Sequence, residues 1–318
     1  MKKVFRANLY FMIILISMTV IQFPLAIIYN LIGLTDVRIT LFLNHTLLFI
    51  VPAIIYVIVT KANIKETFRL NVIPIKQFGI VLLIGLACYP FMGCLGGISS
   101  MFFNNNVGDF VDSISTTPLP ILLLLIALMP AITEEITMRG IVLSGYDNKT
   151  KFKAALMSGI LFGIFHLDAQ QFLYAAALGF VLAYVVRVTN SIFASMTIHF
   201  MVNSISMILS SILLNFNSDV SSNVEEVNLA TLSFNDKLSY IAIYATTAIL
   251  FGGLIYKLIK ILEKSIEKRD AKLQYNQNIV YTVEDFDDGE NIINIPLLIT
   301  IFIYISHMTF IFFVLNRM

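Results

Sequence analysis

Long apolar runs recur along this chain, and they leave few folds open to it. A membrane-spanning helix needs roughly 20 apolar residues. Nine runs approach or reach that length: roughly 9–32, 40–60, 78–101, 119–146, 154–167, 172–188, 191–214, 238–261 and 292–315, the fifth being short. Nine such spans take about 180 positions, close to the 58% of the 318 residues that are apolar. Only 13% are charged, against about 25% in a typical soluble domain. A soluble globular protein, a disordered chain and a nucleic-acid binder are therefore excluded. Soluble strands do not reach these lengths, and the alternating pattern of an outer-membrane barrel is absent. The fold class predicted is all-α: a polytopic transmembrane helix bundle of eight to nine spans, whose surrounding partner is a lipid bilayer.

Loop charges orient the bundle, because Lys and Arg collect on the cytoplasmic side. Lys2, Lys3 and Arg6 precede the first span; Lys61, Lys65, Arg69 and Lys76 follow the second. Lys149, Lys151 and Lys153 follow the fourth, Arg187 the sixth, and Lys257, Lys260, Lys264, Lys268, Arg269 and Lys272 the eighth. All five groups share one side if nine spans alternate. The opposite loops carry Asp109, Asp112, Asp168, Asp219, Glu225 and Glu226. The amino terminus is thus expected inside and the carboxyl terminus outside. The first apolar run exceeds a signal-peptide core and lacks a small-x-small cleavage site after it, so it reads as an uncleaved helix. Cys88 and Cys94 lie within an apolar run, which does not suit a disulfide framework.

Three regions are expected. Residues 1–117 hold amino-terminal spans and an interfacial segment at 61–77. Residues 118–214 form the core that carries the chemistry. Residues 215–318 hold the last spans and a polar cytoplasmic linker, 263–291, basic first and acidic later (Glu284, Asp285, Asp287, Asp288, Glu290).

Ionisable side chains inside spans are costly and mark functional sites by default. Here they concentrate: Glu134, Glu135 and Arg139 in the fourth span, His166 at the end of the fifth, His199 and Asn203 in the seventh. Counted from the inner ends at 1.5 Å per residue, Glu134 lies ~16 Å deep, His166 ~18 Å, and His199 and Asn203 ~12 and ~18 Å. Three helices thus bring polar groups to one level, expected to be reached from the cytoplasmic side. His199 and Asn203 share a helix face, and Glu135 and Arg139 are spaced for an ion pair. Glu134 is rotated ~100° from Glu135, so one carboxylate can face the histidines while the other holds the arginine; spacing does not choose between them.

A carboxylate beside two neutral imidazoles activates water for attack on a carbonyl, with Asn203 and His199 as donors to the oxyanion. Glu134, His166 and His199 also suit a two-His-one-carboxylate Zn2+ site with an open position. Both versions are hydrolytic, and peptide-bond cleavage within the membrane is the natural candidate. Buried polar groups also serve as glue between helices, and Arg139 near a helix end also suits snorkelling. The chain has no H-E-x-x-H and no G-x-S-x-G. Ser195 precedes His199 by four residues, a minor alternative. Tyr146-Asp147 has no second membrane aspartate to make a dyad. His45 and His307 stand alone near span ends and read as satisfied helix histidines.

These residues also carry a family resemblance. Glu134-Glu135-Ile-Thr-Met-Arg139-Gly140 resembles the E-E-x-x-x-R motif of the CAAX protease and bacteriocin-processing (CPBP, or Abi) family. Phe162-Gly-Ile-Phe-His166 resembles its F-x-x-x-H motif, and His199-Phe-Met-Val-Asn203 its H-x-x-x-N/D motif. All three are intact and in the family order, across roughly residues 118–210. The resemblance implies that Glu134 activates water, that His166, His199 and Asn203 line the site, and that Glu135 and Arg139 support it. Family members are often labelled metalloproteases, although their need for metal is contested. Some cleave prenylated CAAX proteins; bacterial members are linked to bacteriocin immunity, peptide maturation or surface-protein regulation. The expectation is an intramembrane endopeptidase of a bacterial plasma membrane with a peptide or membrane-protein substrate rather than a prenylated one. The alternative is a non-catalytic immunity or regulatory protein that binds a partner. A transporter would want repeats and paired midplane charges, which are absent.

Overall fold

The computed structural model describes residues 2–220, 229–277 and 289–315. Ten main helices follow in order: α1 (Lys3–Leu31), α2 (Val37–Thr60), α3 (Ile75–Ser100), α4 (Asn106–Ser113), α5 (Leu119–Val142), α6 (Lys151–Phe165), α7 (Ala169–Thr189), α8 (Ile192–Val220), α9 (Phe234–Gln277) and α10 (Ile295–Leu315). Among the described residues there is no strand, and eight helices are long and apolar enough to cross a membrane. The chain is an all-α, multi-pass membrane bundle. Its outer faces carry the exposed apolar side chains that a bilayer covers, such as Phe23, Val59 and Phe302.

The short fifth expected span, 154–167, is α6, and it is not a full span. Its 15 residues reach about 22 Å at 1.5 Å per residue, short of a hydrocarbon core of about 30 Å. Its second half, Leu161 to Phe165, is buried inside the bundle, while Phe152 and Leu156 nearer its start are exposed. Thr150 caps its start by accepting from Lys153 N–H, and Asp168 caps α7 in the same way from Gln171 N–H. The two helices form a hairpin whose tight turn has Leu167 in the left-handed region, at φ 51°. Three glycines set its spacing: a Cβ on Gly159 would stand 2.7 Å from Ala176 O, on Gly163 2.9 Å from Phe172 O, and on Gly179 2.8 Å from Phe162 Cβ.

The chain still reverses at each helix, so the basic groups gather at one end. Arg187 donates to the Tyr146 and Lys149 carbonyls, Arg69 pairs with Asp147, Lys151 with Glu263, and Lys3 reaches Asn148. The opposite end joins Lys237 to Met101 O, Gln170 to Ser100, and Asn106 to Asp168. These are the two sides that the loop charges separate.

Two other expectations change. The segment at 61–77 holds only a short helical turn, Ile64–Thr67, and Arg69 is buried against α5 rather than lying at an interface. The region read as a linker from 263 begins as helix, since α9 runs unbroken to Gln277. Glu225, Glu226, Glu284, Asp285, Asp287 and Asp288 lie outside the described residues, as does the Asp219 side chain.

Candidate active site

The site begins with irregularity in α5. π-helical turns at Leu123–Leu128 and Ile136–Val142 flank a single α-helical stretch, Met129–Glu135. π-bulges cluster at functional sites because they rotate side chains out of regular phase. Pro130 adds a second effect. It has no N–H for the carbonyl four residues back, that of Ile126, and Asn203 Nδ2 donates to that oxygen at 3.1 Å. The proline thereby docks α8 on α5 and orients Asn203, leaving its second N–H for another acceptor.

Glu134 and Glu135 then divide. Glu135 is fully buried, and its Oε1 accepts from Arg139 at 3.0 Å and from His199 Nδ1 at 2.9 Å. Glu134 faces the other way, into a cavity of about 640 Å³ that His166, His199 and Asn203 also line. Its Oε2 lies 3.9 Å from His199 Nε2. Glu135 and Arg139 are outside that lining. With its Nδ1–H given to Glu135, His199 turns the Nε2 lone pair towards Glu134. In neutral form it accepts from a water there rather than donating to an oxyanion.

His166 is set by the end of its helix. The last four carbonyls of a helix lack backbone partners; Phe162 O is one, and His166 Nδ1 donates to it at 2.8 Å. Its Nε2 is therefore the open nitrogen. The Phe162 ring stands edge-on to both imidazoles, with centroids 4.8 Å from His166 and 5.8 Å from His199. The Arg139 guanidinium lies 4.3 Å from the same ring and donates to Gly179 O at 3.2 Å. Arg139 does not snorkel. It is fully buried and holds α5 against the α6–α7 hairpin.

Other candidates fall away. Ser195 Oγ bonds Ile192 O and is fully buried, so it does not pair with His199. Tyr146 OH donates to Asn8, and Asp147 pairs with Arg69 and Arg187. His307 is outside the cavity lining. His45 is satisfied, as expected, but by a partner next to the site: its Nδ1 lies 2.9 Å from Thr133 Oγ1, beside Glu134. No motif links these two residues, 88 positions apart.

Among the described residues no group of three His, Cys, Asp or Glu side chains is placed to hold a metal ion. Glu134, His166 and His199 therefore do not make the expected two-His-one-carboxylate centre as they stand. The cavity lining does not run along the expected approach from the basic end. On that side Met138, Arg139, Ile141, Val142 and Leu143 are fully buried, and Phe68 packs where a Gly140 Cβ would stand. The cavity instead continues past Ser100, Ser210 and Gln171 to Asn105, Val107 and Val111 at the opposite end.

A membrane bundle with a carboxylate and two imidazoles around an internal cavity suits a membrane protease. Comparison with known proteins agrees. Residues 116–205 match the family described as Type II CAAX prenyl endopeptidase Rce1-like. A Bacillus subtilis (strain 168) protein named "Putative membrane peptidase YdiL" is 27% identical over 171 residues, covering 51% of this chain and 68% of that protein. No solved structure gives a significant match. These findings bear out the resemblance to the CAAX protease and bacteriocin-processing family over the segment that carries the three motifs.

Proposed function

We propose that this chain is an intramembrane endopeptidase of a bacterial plasma membrane, in which Glu134 and His199 activate water against a peptide carbonyl. One observation carries the reading. Glu134 Oε2 and His199 Nε2 face each other at 3.9 Å in the cavity, while Glu135 and Arg139 neutralise one another behind them. A water held by both groups would give a proton to the Glu134 carboxylate as its oxygen bonds to the carbonyl carbon. The free N–H of Asn203 would stabilise the oxyanion. Glu134 would then pass the proton to the departing amine as the C–N bond breaks. Glu135 would hold the Nδ1–H of His199 and so keep Nε2 as the acceptor for the water's second O–H, as a buried acid orients a catalytic imidazole.

The substrate class is a peptide or a membrane protein, since the cavity of about 640 Å³ lies in the usual size range of ligand sites and its lining mixes apolar with hydrogen-bonding groups. The test is Glu134→Gln in a membrane preparation that cleaves a candidate substrate. Cleavage should fall by about 10³-fold, within the range of general acid–base catalysis, at unchanged membrane level. Full activity in that variant would overturn the reading.

A further inference from the structure

We propose that the substrate reaches Glu134 from the end of the bundle opposite the basic residues, beneath α4, so that the protein acts on uncharged peptide segments presented at the extracytoplasmic face. The inference rests on the hydrolytic reading of Glu134 given above.

The first observation is the closed floor. Between Glu134 and the basic end lie fully buried side chains from α5, α7 and α8: Met138, Arg139, Val142, Leu182, Val185 and Ile198. Below them the 68–71 segment seals the seam between two helices of the site. Phe68 packs on Gly140, Arg69 donates to Arg139 O at 2.9 Å, Ile192 N–H donates to Arg69 O at 3.1 Å, and Asn71 donates to Asn190 O at 2.7 Å. Arg69 is only 4% exposed and sits in the left-handed region at φ 46°. A chain segment entering from this side would have to break these bonds together.

The second observation is the open roof. The cavity rises from the four site residues along α3 and α8 to the exposed Asn105 and the half-exposed Val107 and Val111 of α4. α4 spans only Asn106–Ser113 and is held to the α6–α7 turn by the bond from Asn106 Nδ2 to Asp168 Oδ2, at 2.9 Å. On its α3 wall Gly93 leaves room: a Cβ there meets nothing within 4 Å.

The third observation is the chemistry of the lining. Apart from Glu134, the lining contains no Asp, Lys or Arg among the described residues. Gln171, Ser206, Ser210 and Tyr89 offer neutral hydrogen-bonding groups beside Met92, Val107 and Leu178. A charged residue near the scissile bond would lose its hydration there without a partner. Peptide amides and small or apolar side chains would not.

The side of the membrane follows from the basic groups, which the positive-inside rule places in the cytoplasm. The opposite end, with Asn105, then faces outward.

The test uses single cysteines in the full chain, expressed in intact cells and treated with a charged, membrane-impermeant maleimide. Asn105→Cys and Val111→Cys are the roof positions; Lys264→Cys, exposed at the basic end, is the control. The wild type, whose two cysteines are buried, sets the background. The expected result is labelling of both roof cysteines in intact cells and of Lys264→Cys only after permeabilisation. Labelling at either roof position should also lower Glu134-dependent cleavage by at least tenfold relative to the same unlabelled variant. Labelling of Lys264→Cys but neither roof position in intact cells overturns the proposal. So does modification of a roof cysteine that leaves cleavage unchanged. A fully active Glu134→Gln variant sinks the catalytic reading instead, whatever the labelling pattern.

Discussion

His199 gives its Nδ1–H to Glu135, 2.9 Å away, and this bond separates the roles of two adjacent carboxylates. It takes Glu135 out of the cavity, points His199 Nε2 at Glu134, and leaves Arg139 with a fixed counter-ion. Glu134 thereby becomes the one carboxylate among the described residues that line the cavity.

The two glutamates should consequently fail in different ways. Glu134→Gln should lose cleavage and keep its thermal stability in detergent. Glu135→Gln should lose both, because it strips the counter-ion from a fully buried arginine, and breaking a buried pair costs about 3–5 kcal/mol. Melting curves of the two purified variants check this. Equal melting temperatures would show that Glu135 is not structural.

Asn203→Ala should lower kcat by about 10²–10³-fold, the usual loss of one oxyanion donor, with KM little changed. The same change strands Ile126 O, which Pro130 leaves without a helix partner. Asn203→Asp retains an acceptor but no N–H for either oxygen, so it should not rescue. Steady-state kinetics on the three proteins distinguish these outcomes.

Glycines on the two sides of the cavity should tolerate change unequally. Gly159→Ala drives its Cβ to 2.7 Å from Ala176 O and 2.8 Å from Phe180 N, both backbone atoms that cannot swing aside. The hairpin must part, at a cost of about 1–3 kcal/mol for overpacking, and His166 moves with it. Gly93→Ala meets nothing and should fold normally, whereas Gly93→Phe should fold yet block substrate. Thermal stability and cleavage measured on all three give the comparison.

Cleavage should survive a divalent-metal chelator, since Glu134, His166 and His199 are not grouped as metal ligands. Loss of activity on chelation that zinc restores would show that the three side chains rearrange around an ion and would require a different mechanism.

Much of the fold was legible because burying polar groups in lipid is so costly. Eight of nine apolar runs became spanning helices, and the basic loops sorted to one end as their charges required. The run at 154–167 misled because apolar content reports burial and not what does the burying. Its glycines pack α6 against α7 rather than lipid, and the helix stops short. The place of His45 beside the site was not legible for a related reason: its partner, Thr133, lies on another helix, and sequence spacing carries no information about such pairs.

The motif residues came together because only a shared internal cavity makes several ionisable groups tolerable at membrane depth. That much the chain determines by itself, along with the pairing of Glu135 and Arg139 four residues apart. Helical spacing fixes angles only about a helix's own axis, so it does not say which angle faces inward. Packing decided that Glu134 lines the cavity, through π turns that shift the phase of α5 and a proline that docks Asn203. Packing also decided which nitrogen each histidine leaves open and at which end the cavity has its mouth, because both depend on neighbours that are distant in the chain.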